Sequence, residues 1–131
     1  MNLELQILPE TLAVCRLEPR AAVPPWALTD AALTAITRTD AELSIVCPEA
    51  AVPGGVRCEK GWRCFKILGP LPFAMTGVPA SLVDPLAQAG ISVFAFSTYD
   101  TDFVMVKADR LEDARQALTL AGFEVRPGHH S

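Results

Sequence analysis

Two acids in a hydroxyl-rich turn carry most of the chemistry this chain offers. Asp100 and Asp102 lie two apart in Ser97-Thr98-Tyr99-Asp100-Thr101-Asp102-Phe103, between two β-rich runs. Carboxylates in such a turn can accept charge-assisted hydrogen bonds from a ligand ammonium. A second segment, Thr76-Gly77-Val78, stands where a helix is predicted to begin. The unpaired N–H groups of a helix start suit a ligand carboxylate, and Gly77 permits close approach to the backbone. Together the two segments have the polarity to hold a small zwitterion. Each also has a plainer use. Asp favours tight turns, Thr76 suits a helix cap, Gly77 suits the preceding turn, and Met75 suits core filling.

Other chemistries find little support. The two histidines, His129 and His130, are in the C-terminal tail. No Ser/His or Cys/His nucleophilic pair is therefore expected in the folded region. There is no Walker A loop and no G-x-G-x-x-G. A small enzyme with Asp102 as base is the most distant reading; no catalytic residue and no cofactor is expected. Cys15 and Cys47 sit in apolar runs and read as buried thiols. Cys58 and Cys64 flank Lys60-Gly61-Trp62 at a spacing that fits no common zinc pattern. A site from Cys58, Cys64, His129 and His130 is conceivable, but a terminal His pair after Pro127-Gly128 reads as a frayed end. All four cysteines are expected to be reduced and free of metal.

The chain has 131 residues, half of them hydrophobic and a fifth charged, with a formal net charge of −4. That composition is globular and rich in core. No stretch is rich in Lys or Arg, so nucleic acid is not an expected partner. No apolar run approaches the roughly 20 residues that span a bilayer, and Met1-Asn2-Leu3-Glu4 lacks the basic start of a signal peptide. A cytoplasmic protein without membrane contact is expected.

The elements that must position the site read as follows. Residues 3–8 and 11–17 are apolar runs split by Pro9-Glu10, predicting a hairpin. Pro24-Pro25-Trp26 marks a loop. Residues 32–37 and 42–47 are strands, and Pro48 to Gly55 is a connector. Residues 62–68 form a strand. A helix follows from Gly77 to about Ala89, closed by Gly90, with Pro85 expected to kink or split it. Residues 91–96 and 103–107 are strands. Asp109 and Glu112 suggest a capping box before a helix that ends at Gly122, and 123–125 is a last strand. From Trp62 to Val125 the order is β-α-β-β-α-β, the ferredoxin-like split pattern. Phe94, Phe96 and Phe103 read as core or sheet-face residues.

Residues 37–46 and 97–106 resemble each other at an offset of 60, matching Asp40 to Asp100, Glu42 to Asp102 and Val46 to Val106. Such a repeat suggests two copies of one unit. The segments Gly69-Pro70-Leu71-Pro72-Phe73, Thr76-Gly77-Val78, Pro85-Leu86-Ala87 and Gly90 to Phe103 resemble an ACT domain. They are similar in particular to small bacterial tandem-ACT proteins related to the arginine-sensing CASTOR proteins. The resemblance covers the second half well and the first half through Thr37–Val46 and the Trp62 boundary.

The resemblance implies an α+β fold of two ferredoxin-like ACT units, the N-terminal one degenerate. Residues 1–60 would form the first, 61–127 the second, and 128–131 a disordered tail. It implies an amino-acid-binding regulatory or sensor protein without catalysis, with ligand contacts at Met75, Thr76, Gly77, Val78, Thr98, Tyr99, Asp100, Thr101 and Asp102. Asp102 matches a ligand-contacting acid of the arginine sensors, and is preferred to Asp100. Met75 stands where those sensors place an acid, so a small or apolar amino acid is favoured over arginine. The expected partners are a second copy of the chain and a regulated enzyme or protein. The alternative is a dimeric protein-interaction module with no amino-acid ligand.

Overall fold

The computed structural model describes residues 4–68 and 78–127. Among them are eight strands and two helices. In chain order these are β1 (Glu4–Ile7), β2 (Leu12–Leu17), β3 (Ala35–Arg38), β4 (Leu43–Pro48), β5 (Cys58–Ile67), α1 (Val78–Gln88), β6 (Val93–Ser97), β7 (Asp102–Lys107), α2 (Leu111–Leu120) and β8 (Glu124–Arg126). The chain divides into two compact units, Glu10–Trp62 and Met1–Pro9 with Arg63–Ser131. The architecture is α+β.

The N-terminal unit has the full split βαβ connectivity with its helices reduced to single turns. Its strands run β3-β4-β2-β5, so the fourth strand lies beside the first, followed by the third and the second. Where helices would cross, the chain makes only the 3-10 turns Pro25–Ala27 and Glu49–Ala51. Pro24 and Pro25 stand at the start of the first turn and Pro48 and Pro53 flank the second, removing backbone donors that a longer helix would use. The core holds Ala13, Cys15, Ala27, Leu43, Ile45 and Cys47.

The C-terminal unit keeps both helices. Leu82 and Leu86 of α1, and Ala114 and Leu118 of α2, are fully buried against Leu5, Ile7, Phe65, Ile67, Val104 and Val106. Each large apolar side chain so buried contributes roughly 1.5–3 kcal/mol. The spacing i, i+4 on each helix is what brings these side chains to one face. Both helices close as expected. Gly90 has φ +74°, with its N–H on Ala87 O at 3.0 Å and the Ile91 N–H on Leu86 O at 2.9 Å. That is the paired bond pattern of a glycine-terminated helix.

Several sequence expectations are corrected. Residues 3–8 and 11–17 do not form a hairpin. β1 pairs antiparallel with the later half of β5 (Leu5 opposite Ile67), while β2 pairs with its earlier half (Cys15 opposite Cys58). β1 also pairs in parallel with β8, Leu5 opposite Val125. It therefore occupies the place between β5 and β8 that the fourth strand would fill in the plain ferredoxin-like order. α1 runs unbroken through Pro85, since buried Leu82 and Leu86 hold the chain on both sides of it. No capping box forms at Asp109. A 3-10 turn, Ala108–Arg110, precedes α2, no side-chain cap bond is made, and Glu112 pairs with Arg115 instead. The residues Met75, Thr76 and Gly77 and the tail 128–131 lie outside the described residues.

β5 is long because the chain uses it twice. Its pairing with β2 shifts between Leu12–Trp62 and Val14–Glu59. At the shift stands Gly61, with φ +80°, and its N–H donates to the Glu49 carboxylate at 2.8 Å. A glycine with positive φ at a bulge lets the strand turn without a Cβ penalty. Gly61→Ala is expected to destabilise the protein by about 1–2 kcal/mol in urea titrations, the cost of a left-handed L-residue. Gly54→Ala, where φ is ordinary and an added Cβ meets open space, serves as the near-neutral control.

Candidate functional site

The β6–β7 hairpin builds the candidate site. Ser97 and Asp102 sit directly opposite each other at its mouth, and the Ser97 hydroxyl donates to Asp102 Oδ1. Four residues close the turn. The Thr98 N–H donates to Thr101 O at 2.8 Å, and the Thr101 N–H donates to Thr98 Oγ1 at 3.3 Å. A threonine hydroxyl thus does the turn-forming work that sequence reasoning offers to Asp. Tyr99 and Asp100 stand exposed at the tip, Tyr99 at 83%.

Thr101 has a different setting. It is buried at 6% exposure, and its hydroxyl donates to the Ile67 carbonyl at 2.6 Å. That bond ties the turn to β5 and fixes where Asp102 enters β7. Thr98, Asp100, Thr101 and Asp102 are therefore brought together, with Asp102 half-buried beneath the turn and Asp100 and Tyr99 above it. Val78 opens α1, with Leu82 one turn further on.

The hairpin and Leu82 of α1 line a half-open hollow of about 110 Å³, whose described lining is Leu82, Ala95, Phe96, Ser97, Asp102, Phe103 and Val104. Its lining is apolar except for Ser97 and Asp102. Phe96 stacks on Phe103 at 5.3 Å between centroids, and Phe94 meets Phe96 edge-on at 6.1 Å. These contacts stiffen the strands that frame the hollow.

The N-terminal hairpin makes the comparison that identifies Asp102. Arg38 pairs with Leu43 as Ser97 pairs with Asp102, so the two hairpins correspond at an offset of 59, not 60. The Ala41 and Glu42 N–H groups each donate to Thr39 Oγ1 at 3.1 Å, and the Thr39 N–H donates to Glu42 O at 2.9 Å. Thr39 is the counterpart of Thr98, and Glu42 that of Thr101. The counterpart of Asp102 is Leu43, which is fully buried in its own core. The sequence match of Glu42 to Asp102 is thus corrected: an acid stands in the C-terminal hairpin where its sister buries a leucine. Asp102 has one side-chain partner among the described residues, Ser97, and a carboxylate has acceptor capacity for more.

Three cysteines meet elsewhere, in the N-terminal unit, where sequence reasoning did not join them. Cys58 faces Cys15 across β2 and β5, and Cys47 lies on β4 diagonal to Cys15. Burial pushes the Cys15 thiol up to about 12, with Cys47 and Cys58 adding to the shift, and burial also raises Cys47. Burial pushes Cys64 up to about 12 as well, against a backbone hydrogen bond from Val104. All four are free thiols, and no group of three His, Cys, Asp or Glu side chains among the described residues is placed to hold a metal. No helix among them is long and apolar enough to cross a membrane.

Residues 57–119 match the family model of the ACT domain, and residues 10–55 match a second model that describes an N-terminal domain. The crystal structure of protein Atu0741 from Agobacterium tumefaciens is similar along nearly the whole chain. Identity is 39%, coverage 99% of this chain and 96% of that one, and the TM-score 0.92. The ligand-free regulatory subunit of aspartate kinase from Thermus thermophilus shares the fold at 15% identity, covering 86% of this chain and 93% of that one, with a TM-score of 0.55. Human CASTOR3P is 51% identical over 35 residues, 27% of this chain and 22% of that protein. The chain thus matches about a fifth of the length of that human relative. The fold and these matches define an ACT-domain protein, with the domain matched over residues 57–119. Within that family it belongs with Atu0741 of Agobacterium and has a partial likeness to CASTOR.

The latch at Thr101 generates a prediction. Thr101→Val keeps the shape but leaves the Ile67 carbonyl without its hydroxyl donor, and is expected to cost about 1–3 kcal/mol. Thr101→Ser is expected to recover most of it. Chemical denaturation of the three proteins measures both.

Proposed function

We propose that this protein binds a free amino acid in its C-terminal unit and passes its presence on as a regulatory signal, without transforming it. The reading rests on Asp102, a half-buried acid at a position where the sister hairpin carries a core leucine. A carboxylate there has no packing purpose, since burying a charge costs free energy unless a partner meets it. A ligand ammonium is such a partner. The side chain of the ligand would enter the hollow beside Leu82, Ala95 and Val104, and its carboxylate would take N–H groups at the helix start around Thr76, Gly77 and Val78. Thr98, Tyr99 and Asp100 would form the rim, and Thr101 would hold Asp102 in place. A hollow of about 110 Å³ with an apolar lining favours a small or apolar amino acid. Met75 offers a guanidinium no charge, which disfavours arginine.

The signal is proposed to reach a regulated enzyme or protein from a homodimer. Among the described residues β6 pairs with β7 alone, and an edge strand invites a second copy. The second reading, a protein-interaction module without a ligand, draws on Leu120, 89% exposed on α2. Light scattering at high micromolar concentration is expected to give twice the chain mass of 14.1 kDa; a monomer would remove the dimer from both readings.

Thermal-shift screening against the twenty amino acids tests the binding itself, since a ligand of the folded state raises the melting temperature. A hit is expected among small or apolar side chains. Calorimetry should then find binding weakened about 10- to 150-fold in Asp102→Ala, the worth of a hydrogen bond to a charged group. A flat screen with an intact dimer supports the second reading. Unchanged affinity in Asp102→Ala moves the site elsewhere.

A further inference from the structure

Cys15 and Cys58 occupy a pairing site that suits a covalent bond between strands. The Arg16 N–H donates to Arg57 O at 2.9 Å, so Arg16 and Arg57 form a hydrogen-bonded pair of the ladder. Their neighbours Cys15 and Cys58, directly opposite each other, then form a non-hydrogen-bonded pair. In such pairs the Cα atoms stand only about 4.5 Å apart and the side chains lie closest. That separation falls inside the range of roughly 4.4–6.8 Å that a disulfide spans. Both side chains belong to one core, Cys15 within it and Cys58 packed against it.

The third thiol, Cys47, also comes within hydrogen-bond reach of Cys15, but from a less favourable place in the ladder. Cys47 lies opposite Ala13 on β4, diagonal to Cys15, and diagonal partners are about 7–8 Å apart. Cys47 and Cys58 have β2 between their strands, which sets them about two strand spacings apart. Cys64 belongs to the other unit. The directly opposed pair, Cys15 and Cys58, is therefore the one whose backbone is best placed for a bridge. The two thiols also differ in access: Cys15 is 1% exposed, while Cys58 is half-buried and within reach of solvent.

We propose that Cys15 and Cys58 are a thiol pair that closes to an intrachain disulfide by exchange with a small-molecule disulfide, fastening β2 to β5. The Cys58 thiolate attacks one sulfur of the small disulfide. Its S–S bond breaks, one small thiol leaves with a proton, and a mixed disulfide remains on Cys58. Cys15 then gives up its proton and attacks the Cys58 sulfur, displacing the second small thiol. Two protein thiols are oxidised and one small disulfide is reduced to two thiols. The N-terminal unit has no helices to hold its sheet, so a bridge closing the loop from 15 to 58 constrains its unfolded chain substantially.

The test uses the native full-length protein incubated with oxidised glutathione, then blocked with alkylating reagent and mapped by mass spectrometry without reduction. The expected result is a Cys15–Cys58 bridge, Cys47 and Cys64 alkylated, and a melting temperature raised by roughly 5 °C or more, reversed by dithiothreitol. Cys47→Ser should bridge like wild type, and Cys58→Ser should take up no glutathione and form no bridge. Glutathione retained on Cys58 with Cys15 alkylated, a bridge that uses Cys47 or Cys64, or four unreacted thiols would each overturn the proposal.

Discussion

Everything in this fold turns on one strand that has to serve two cores. β5 supplies its first half, Cys58–Trp62, to the N-terminal unit and its second half, Arg63–Ile67, to the C-terminal unit. A strand shows its side chains alternately to two faces, and a slip of one residue exchanges them all. The chain resolves this with a bulge at Gly61, whose positive φ no other residue adopts cheaply and whose N–H is claimed by Glu49. Upstream of it Cys58 packs beside Cys15; downstream, Phe65 and Ile67 pack beneath the helices. The hydroxyl of Thr101 ends on the last residue of this same strand. The position of Asp102 is thus inherited from β5.

The helices and most strands of the C-terminal half were legible because their signals are local. Gly90 and Gly122 end helices through their own conformation, and the apolar spacing of Leu111, Ala114 and Leu118 declares one face. The place of β1 was not legible. Its residues show strand pattern, yet nothing in that pattern says whether the partner is β2, a few residues on, or β8 at the far end. Pro85 misled for a related reason: local propensity argues for a break, and the burial of Leu82 and Leu86 overrides it. The turn of the candidate site was legible as a turn, but its support was not. The bond from Thr101 to Ile67 links residues 34 apart, and no short motif encodes it.

The repeat illustrates how a true inference can carry a wrong register. The sequences align best at 60 because acids then fall on acids. The hairpins align at 59 because their threonines, Thr39 and Thr98, make the same turn. Physical equivalence follows the backbone bonds, and the change of one residue alters what the comparison says. At 60 both copies hold an acid near the strand and neither is distinguished. At 59 the N-terminal copy is closed by Leu43, and the C-terminal copy alone holds an acid above an apolar hollow. The loss of helices from the first unit goes the same way, leaving α1 and α2 as the long helices of the described chain.

The parallel pairing of β1 with β8 has a consequence for how the protein is made. Leu5 lies opposite Val125, so β1 is synthesised long before the strand it lies beside. On the ribosome the nascent chain must carry Leu5 and Ile7 without their full shelter until β8 has been synthesised. The N-terminal unit, complete at Trp62, can collapse long before. Translation therefore favours an order, with the helix-poor unit assembling first and the helix-bearing unit fastening once β8 has emerged.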